Sequence, residues 1–271
     1  MKKWILFAGL AALLISAPAT ALPTLMVANT DGLRPIALYE AGKFLQPMQA
    51  PDKQVILGDL IRSQSPELPL FYNGQEATRF RIGNFEATAG QCKGSGVWSG
   101  QSNQVIDRPM LAFSPDFPGP RHYIGTYPTE KFDTLAKQLS SKAYLNHKVS
   151  KELLKQLHIR RIEPFTLLNG ARVMVAVESE IQSKRRECPE HHLLLLIEKV
   201  GRRYLTVLEK FSNNSKGCTR FQFLSTFATS STVDKLALYG SNANAHWYDL
   251  YHAQYLGGLK SVFHGGGHSC Q

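Results

Sequence analysis

The hydrophobic pattern is strongest between residues 161 and 211, where four strand-like runs are separated by turn residues. The pair Asn169-Gly170 divides the first two runs. Because Asn-Gly tolerates positive φ at both central positions, it predicts a two-residue type I′ hairpin turn. Along residues 172–181 both the odd and the even positions carry apolar side chains, so both faces of this strand are expected to meet apolar neighbours.

The third run, residues 193–197, consists of five consecutive apolar residues, and Gly201-Arg202 follows it. Glycine at the first turn position predicts a type II′ hairpin. A buried helix segment would also fit such a run, but its shortness and the flanking turn favour a strand. We predict that these four strands form the best-buried sheet of the molecule.

Two short helices are expected just before this block. Residues 130–139 place apolar side chains at helical spacing, with Thr129 as the N-cap, and residues 151–158 do the same behind Ser150. Residues 55–61 fit either a strand or a short helix.

The predicted fold class is therefore mainly β, with antiparallel sheets and hairpins plus two short helices near the middle. The expected organisation is an N-terminal β-rich lobe over residues 22–127, then a helix pair and an antiparallel β lobe over residues 128–271. One composite domain and two lobes meeting near residue 128 are both compatible with this pattern.

The first 21 residues have the pattern of a secretory signal peptide. Lys2 and Lys3 precede an apolar stretch over residues 4–15, and Ala19-Thr20-Ala21 resembles a cleavage site. No later apolar run is long enough to span a bilayer. We therefore expect a periplasmic or secreted bacterial protein with no membrane span after signal removal.

The chain is basic, with a formal net charge of +10, or +8 without the two signal lysines. Residues 131–203 hold 15 Lys and Arg against 8 Asp and Glu. Such a charge attracts anionic envelope polymers and lipid head groups. The run Lys184-Arg185-Arg186 is the candidate binding site for phosphates or carboxylates, although an ordinary exposed basic loop has the same pattern.

Four cysteines are present, and an even number in an exported chain indicates disulfides. Three pairings are possible. We favour Cys188 with Cys218, because a hairpin over residues 193–211 brings its flanks together. Cys92 with Cys270 then follows by default.

The candidate metal ligands are His264 and His268, which are separated by three glycines and followed by Cys270. Histidine nitrogens and a thiolate bind zinc or copper, and one flexible loop would supply all three. Cys188 and the pair His191-His192 would add further ligands. Oxidation after export would remove both thiolates, so no cofactor is predicted.

Catalytic patterns are poorly supported. The segment around Cys92 matches a nucleophile elbow, but no helix is predicted after it. Glu178 and Glu180 share one strand face, and a solvated strand edge explains them better than a glycosidase pair. No recognised nucleic-acid motif accompanies the basic charge, so no specific nucleic-acid partner is predicted.

The C-terminal part contains Trp247-Tyr248-Asp249-Leu250-Tyr251, a Gly257-Gly258 turn and a glycine-rich ending at Cys270. In these features, which cover about the last 35 residues, the chain resembles uncharacterised secreted bacterial β proteins with degenerate FG-GAP-like hairpins. The Asp- and Gly-rich calcium loop of such hairpins is missing; residues 231–235 stand in its place. The resemblance implies a β fold and no particular activity.

Three function classes remain open. The first is a non-enzymatic exported protein that binds an anionic envelope component or another protein. The second is a periplasmic metal-binding protein using His264 and His268. The third is a hydrolase of cell-wall or carbohydrate material, which requires a cleft with two converging acids, or a Cys or Ser beside a His.

Overall fold

The structure is a computed structural model that describes residues 22–47, 51–72, 75–86, 93–94, 96–119, 131–182, 188–215, 217–255 and 258–269. The mainly β, antiparallel fold predicted from the sequence is confirmed. No helix among the described residues is both long enough and apolar enough to span a bilayer.

The first part of the chain builds a sheet that closes on itself. Its elements are β1 Thr24–Asn29, β2 Gly32–Glu40, β3 Lys43–Leu45, α1 Pro51–Gln64, β4 Glu67–Tyr72, β5 Gln75–Glu86, β6 Lys93–Gly94, β7 Val97–Ser102 and β8 Met110–Phe113. All of these strands except β6 form the ring sheet, in the order β1-β8-β4-β5-β7-β2-β3. Because β1 also pairs with β2, six strands make a closed ring, and β3 is an additional strand on β2.

The second part of the chain builds two open antiparallel sheets. Its elements are α2 Asp133–Asn146, α3 Lys151–Leu154, β9 Leu157–Leu167, β10 Arg172–Ile181, β11 His191–Val200, β12 Arg203–Asn213, β13 Arg220–Ala228, β14 Val233–Ser241, β15 Ala245–Ala253 and β16 Leu259–Ser269. The outer sheet has the order β12-β11-β10-β9. The middle sheet has the order β13-β14-β15-β16-β6, so β6 of the first part pairs with β16 near the other end of the chain.

These sheets stack in layers because several strands are apolar on both faces. In β1, Leu25 and Val27 pack against the middle sheet, whereas Met26 packs inside the ring. The middle sheet packs its other face against the outer sheet, and the outer sheet packs its remaining face against α2 and α3. The order of layers is ring sheet, middle sheet, outer sheet and helices.

The four strands predicted as the best-buried sheet form the outer sheet. Residues 193–197 of β11 are fully buried, and their side chains alternate between the two neighbouring layers. The two-residue turn at Gly201 is confirmed: Val200 pairs with Arg203, and Gly201 has a φ of 60°.

The predicted two-residue turn at Asn169-Gly170 is wrong. Leu167 pairs with Arg172, so the connection has four residues. Leu168 takes a φ of 52°, in the left-handed region, and buries its side chain between the outer and middle sheets. Burial of this leucine offsets the unfavourable backbone conformation and lengthens the turn.

Two of the three helices lie near the predicted positions. The side chain of Ser150 caps α3 by accepting a hydrogen bond from the Leu153 amide, at 3.3 Å, as expected. However, α3 ends at Leu154, because the chain joins β9 from Leu157 onwards, where Leu157 pairs with Ile181. The predicted cap Thr129 lies outside the described residues.

The segment that fitted either strand or helix is part of α1. Leu57 and Ile61, four residues apart, face the interior of the ring, whereas Val55 and Ile56 remain exposed. This 3.6-residue period selects the helix, because a strand would have placed alternate residues in the core.

The predicted lobes share a hydrophobic cluster. Val27 and Ile36 from the first part pack in the same cluster as Leu250 and Phe263 from the second. The predicted boundary near residue 128 lies within residues 120–130, outside the described residues, so the division into lobes stays a prediction.

We expect the Leu195→Ala variant to lose about 3 kcal/mol of unfolding free energy, because Leu195 is fully buried between the outer sheet and the helices. The matched control is Leu205→Ala in the edge strand β12, where the side chain is 50% exposed and the expected loss is below about 1 kcal/mol. Urea unfolding measures both values. Equal losses would contradict the layered arrangement.

Candidate functional site

The histidines proposed as metal ligands lie in β16, and they have different partners. His264 is opposite Asp249 and bonds to it, whereas His268 is opposite His246 and contacts Arg34. Among the described residues, no group of three or more metal-ligating side chains is found. His191 and His192 point to opposite faces of β11, and Cys188 is in a disulfide, so this second predicted ligand group does not converge.

The prediction of a flexible glycine loop between His264 and His268 is wrong. Gly266 and Gly267 lie within β16, and a Cβ on Gly266 would approach the Ile36 carbonyl oxygen to 1.9 Å. The Gln46 carboxamide fixes the segment further, donating to the His264 carbonyl at 2.7 Å and accepting from the Gly266 amide at 3.0 Å. The glycines therefore permit close packing of β16 against β2.

His264 belongs to a polar cluster on the middle sheet. Its Nδ1 is 2.5 Å from Oδ1 of the buried Asp249, and Nζ of Lys210 lies 3.1 Å from the other carboxylate oxygen. Burial lowers the pKa of Lys210, but Tyr251 and Asp249 outweigh this effect and raise it. The His264 side chain is 67% exposed, so Asp249 orients a ring that remains available to a ligand.

Two aromatic rings extend this cluster across the sheet. Trp247 lies 6.3 Å from the His264 ring and 6.2 Å from the Phe221 ring, centroid to centroid. We call Phe221, Trp247 and His264 the aromatic row. Gly240 lies on the strand between Phe221 and Trp247, and a Cβ there would come within 2.3 Å of the indole. The glycine thus gives the indole space to lie over β14.

Sequence reasoning missed Asp249, Lys210 and Gly240. Trp247, Asp249 and Tyr251 alternate along β15, and this period of two was a signal that they share one face. The pairing of Asp249 with His264 and the approach of Lys210 from the outer sheet depend on strand register and layer order, which the pattern did not contain.

A second histidine pair lies beside a buried arginine. The His246 and His268 rings are 3.9 Å apart at nearly a right angle, and Nη1 of Arg34 is 2.9 Å from Nδ1 of His268. Burial lowers the pKa of both histidines, and the positive charge of Arg34 adds to this effect. His268 lowers the pKa of His246 further, to about 3. Both rings are therefore neutral near pH 7, so neither histidine places a second positive charge beside Arg34.

Glu178 and Glu180 are not on a solvated strand edge, contrary to the interpretation from the sequence. Both lie in β10, in the interior of the outer sheet, and are 6% and 4% exposed. β10 is not an edge strand, because β9 and β11 pair with it on its two sides.

Glu178 belongs to a cluster where three sheets meet, which we call the charged joint: Tyr72, Arg161, Glu163 and Glu178. The Arg161 guanidinium bonds to Glu163 and to the Tyr72 hydroxyl, and its Nη1 is 3.5 Å from Glu178. The Phe223 amide of the middle sheet donates to Glu178 at 2.9 Å. Burial raises the pKa of Glu178 to about 7, against the opposing effect of Arg161.

The two cavities described below do not have the lining that a hydrolase requires. Glu163 and Glu178 converge on Arg161, but they are buried in the charged joint rather than placed in a cleft. One cavity of about 310 Å³ opens at the end of the ring sheet, and a second of about 500 Å³ lies along α2. Neither is lined by a histidine, a cysteine or a pair of acids.

The basic run Lys184-Arg185-Arg186 lies outside the described residues, as do Cys92 and Cys270. Its described neighbours are Gln182 and Cys188, at the end of the outer sheet where His192 contacts the Phe221 ring. Cys188 forms a disulfide with Cys218, which is the pair that the sequence favoured.

In comparisons with known proteins, no protein family, no curated protein and no solved structure matched the chain. The resemblance to secreted β proteins with FG-GAP-like hairpins therefore stays a prediction, and the site must be interpreted from its own residues.

We expect Glu178→Gln to change the pH dependence of stability. Because the folded-state pKa is raised from about 4.5 to about 7, protonated Glu178 stabilises the fold fully below pH 4.5, and this stability is lost as the pH rises through 7. The variant should match the wild type at about pH 4 and exceed it by up to about 3 kcal/mol at about pH 8.

Urea unfolding at several pH values measures this difference, and the wild-type comparison cancels the contribution of His192, whose pKa burial lowers to about 4. Glu152→Gln on the exposed side of α3 is the matched control and should show no such trend. A constant difference between Glu178→Gln and wild type across the pH range would refute the assignment.

We expect a second disulfide between Cys92 and Cys270, since the residues adjacent to them pair in the described structure, Lys93 with Ser269. Tryptic digestion without reduction should yield one linked pair of peptides covering residues 82–93 and 261–271. A second linked pair should cover 187–199 and 217–220. Mass spectrometry after reduction serves as the control. Labelling of either cysteine by a thiol reagent in native protein would disprove the pairing.

Proposed function

We propose that this chain is an exported, non-catalytic protein that binds an anionic polymer of the bacterial cell envelope. The proposed binding face consists of the aromatic row and Lys210, with the basic run Lys184-Arg185-Arg186 adjoining it in sequence through Cys188. The periplasm or the cell exterior is the proposed location.

Export is supported by the signal-like pattern of residues 1–21 and by the Cys188–Cys218 disulfide. Disulfides persist in oxidising compartments and are rare in the cytosol. The Cys188–Cys218 cystine, which follows the basic run in sequence, therefore agrees with a protein that works outside the cytoplasm.

The observation that carries the binding proposal is the partly uncovered aromatic row. Phe221 and Trp247 are half-buried, and the imidazole of His264 is largely exposed beside them. Aromatic rings with polar tips or polar neighbours bind ligands through an apolar face and fix their orientation through hydrogen bonds.

The charge of the face favours an anionic partner. Lys210 is 28% exposed, and Asp249, which it contacts, is almost fully buried, so the carboxylate holds the lysine without presenting a negative surface. The surplus of Lys and Arg over residues 131–203 adds a longer-range attraction. A polymer with sugar rings and phosphate or carboxylate groups matches both the rings and the cations.

Co-sedimentation of the protein with isolated cell-wall sacculi tests the proposal. Lys184→Gln, Arg185→Gln and Arg186→Gln together should lower retention about tenfold at about 50 mM NaCl and have little effect at about 500 mM, where charges are screened. Trp247→Ala should weaken retention at both salt concentrations, because stacking contacts depend little on ionic strength.

The matched control neutralises three exposed lysines on the helical layer: Lys137, Lys142 and Lys151. It removes the same charge and should leave most of the retention intact. Equal losses of retention for the two triple variants would show that retention depends on net charge alone and not on the basic run. Unchanged retention of Trp247→Ala at both salt concentrations would exclude the aromatic row as the binding face.

A further inference from the structure

The cavity at the end of the ring sheet lies apart from the proposed binding face. It opens between the β1–β2 turn, the strands β5 and β7, and the residues that follow β7, and its volume is about 310 Å³. This volume is at the lower end of the range of small-molecule sites. Its lining residues are Asn29, Thr30, Asp31, Gly32, Phe80, Ser99, Gly100, Ser102, Gln104, Val105 and Ile106.

The lining of this cavity is rich in hydrogen-bonding groups. Asn29 and Gln104 contribute carboxamides, and Thr30, Ser99 and Ser102 contribute hydroxyls. Some of these groups are already positioned: the side-chain Oδ1 of Asn29 accepts a hydrogen bond from the Asp31 backbone amide at 3.0 Å, and the Ser102 hydroxyl is 3.2 Å from that of Thr78. These polar groups are therefore partly preorganised for a ligand.

Apolar groups lie among these polar ones, since Phe80 pairs directly with Ser102. The buried ring of Phe80 and the side chains of Val105 and Ile106 line the cavity, while Gly32 and Gly100 add backbone without a side chain. Val105 is 87% exposed, so it lies at the rim. A lining that combines apolar groups with amides and hydroxyls suits a sugar ring, which presents C–H groups on its faces and hydroxyls around its edge.

Asp31 decides the charge of the ligand. Among the described lining residues it is the one ionisable side chain. Its carboxylate also acts electrostatically on His268, Tyr239 and Tyr248, whose pKa values it raises. A ligand ammonium group would form a charge-assisted hydrogen bond with it, whereas a ligand carboxylate would be repelled. This preference is opposite to that of the basic binding face.

We propose that this cavity is a second binding site, for a single neutral or amino-bearing sugar ring, with Asp31 as the group that selects the amine. The site does not rest on the proposed function: retention on sacculi and binding of sugars are measured separately, and either can fail alone.

Saturation-transfer NMR with glucosamine, glucose and glucuronate tests the proposal. The wild type should bind glucosamine most tightly, glucose more weakly and glucuronate least. Asp31→Asn should weaken glucosamine binding about tenfold, to the level of glucose, because the charge-assisted bond is lost. Val105→Trp places an indole at the rim and should abolish binding of all three; because the position is exposed, the fold should tolerate the change.

Asp133→Asn, at an exposed position on α2, makes the same chemical change away from the cavity and should leave all three affinities unaltered. Absence of saturation transfer in the wild type, equal binding of glucuronate and glucosamine, or affinities unchanged by both cavity variants would overturn the proposal. Chitotetraose, a chain of four glucosamine units, distinguishes two sources of the ligand. If it binds at least as tightly as glucosamine, the natural ligand is the end of a glycan chain; if it binds more weakly, the natural ligand is a free sugar.

Discussion

The structure depends on burial of both faces of the middle sheet. Ala237 and Leu250 pack towards the ring sheet, whereas Leu236 and Tyr251, on the same strands, pack towards the outer sheet. A sheet with two apolar faces is stable only when a layer covers each of them. The ring sheet and the outer sheet supply these layers, and the outer sheet in turn requires the helices.

Polar side chains are concentrated where one sheet no longer covers the next. The charged joint lies at the meeting of three sheets, where Arg161 pairs with Glu163 and approaches Glu178, so each buried charge has a partner. At the open part of the middle sheet, Asp249 holds His264 and Lys210 beside Trp247. The proposed binding face is therefore a direct result of an outer sheet that covers only part of its neighbour.

Local patterns in the sequence predicted features that depend on near neighbours. The apolar run at residues 193–197, the turn at Gly201 and the cap at Ser150 each follow from a few adjacent residues. The Cys188–Cys218 disulfide could be predicted for the same reason, because a single hairpin brings the two cysteines together.

Features that depend on distant strands could not be predicted in this way. The burial of Glu178 follows from the place of β10 between β9 and β11 and from a backbone amide of the middle sheet. The glycines between His264 and His268 suggested mobility, but the close approach of β2 requires them. The contact of His264 with Asp249 arises from strand register, so only part of the candidate site was visible in the sequence.

The pairing of β6 with β16 has a consequence for the timing of folding. Gly94 and His268 are paired although most of the chain separates them. Contacts of such long range form late, because ordering the intervening chain costs entropy before the contact is gained. If the chain crosses a membrane from its N-terminal end, the last edge of the middle sheet closes only when β16 has emerged. Until then, the part of the apolar face of the ring sheet that Phe263 of β16 covers is open to chaperones and proteases.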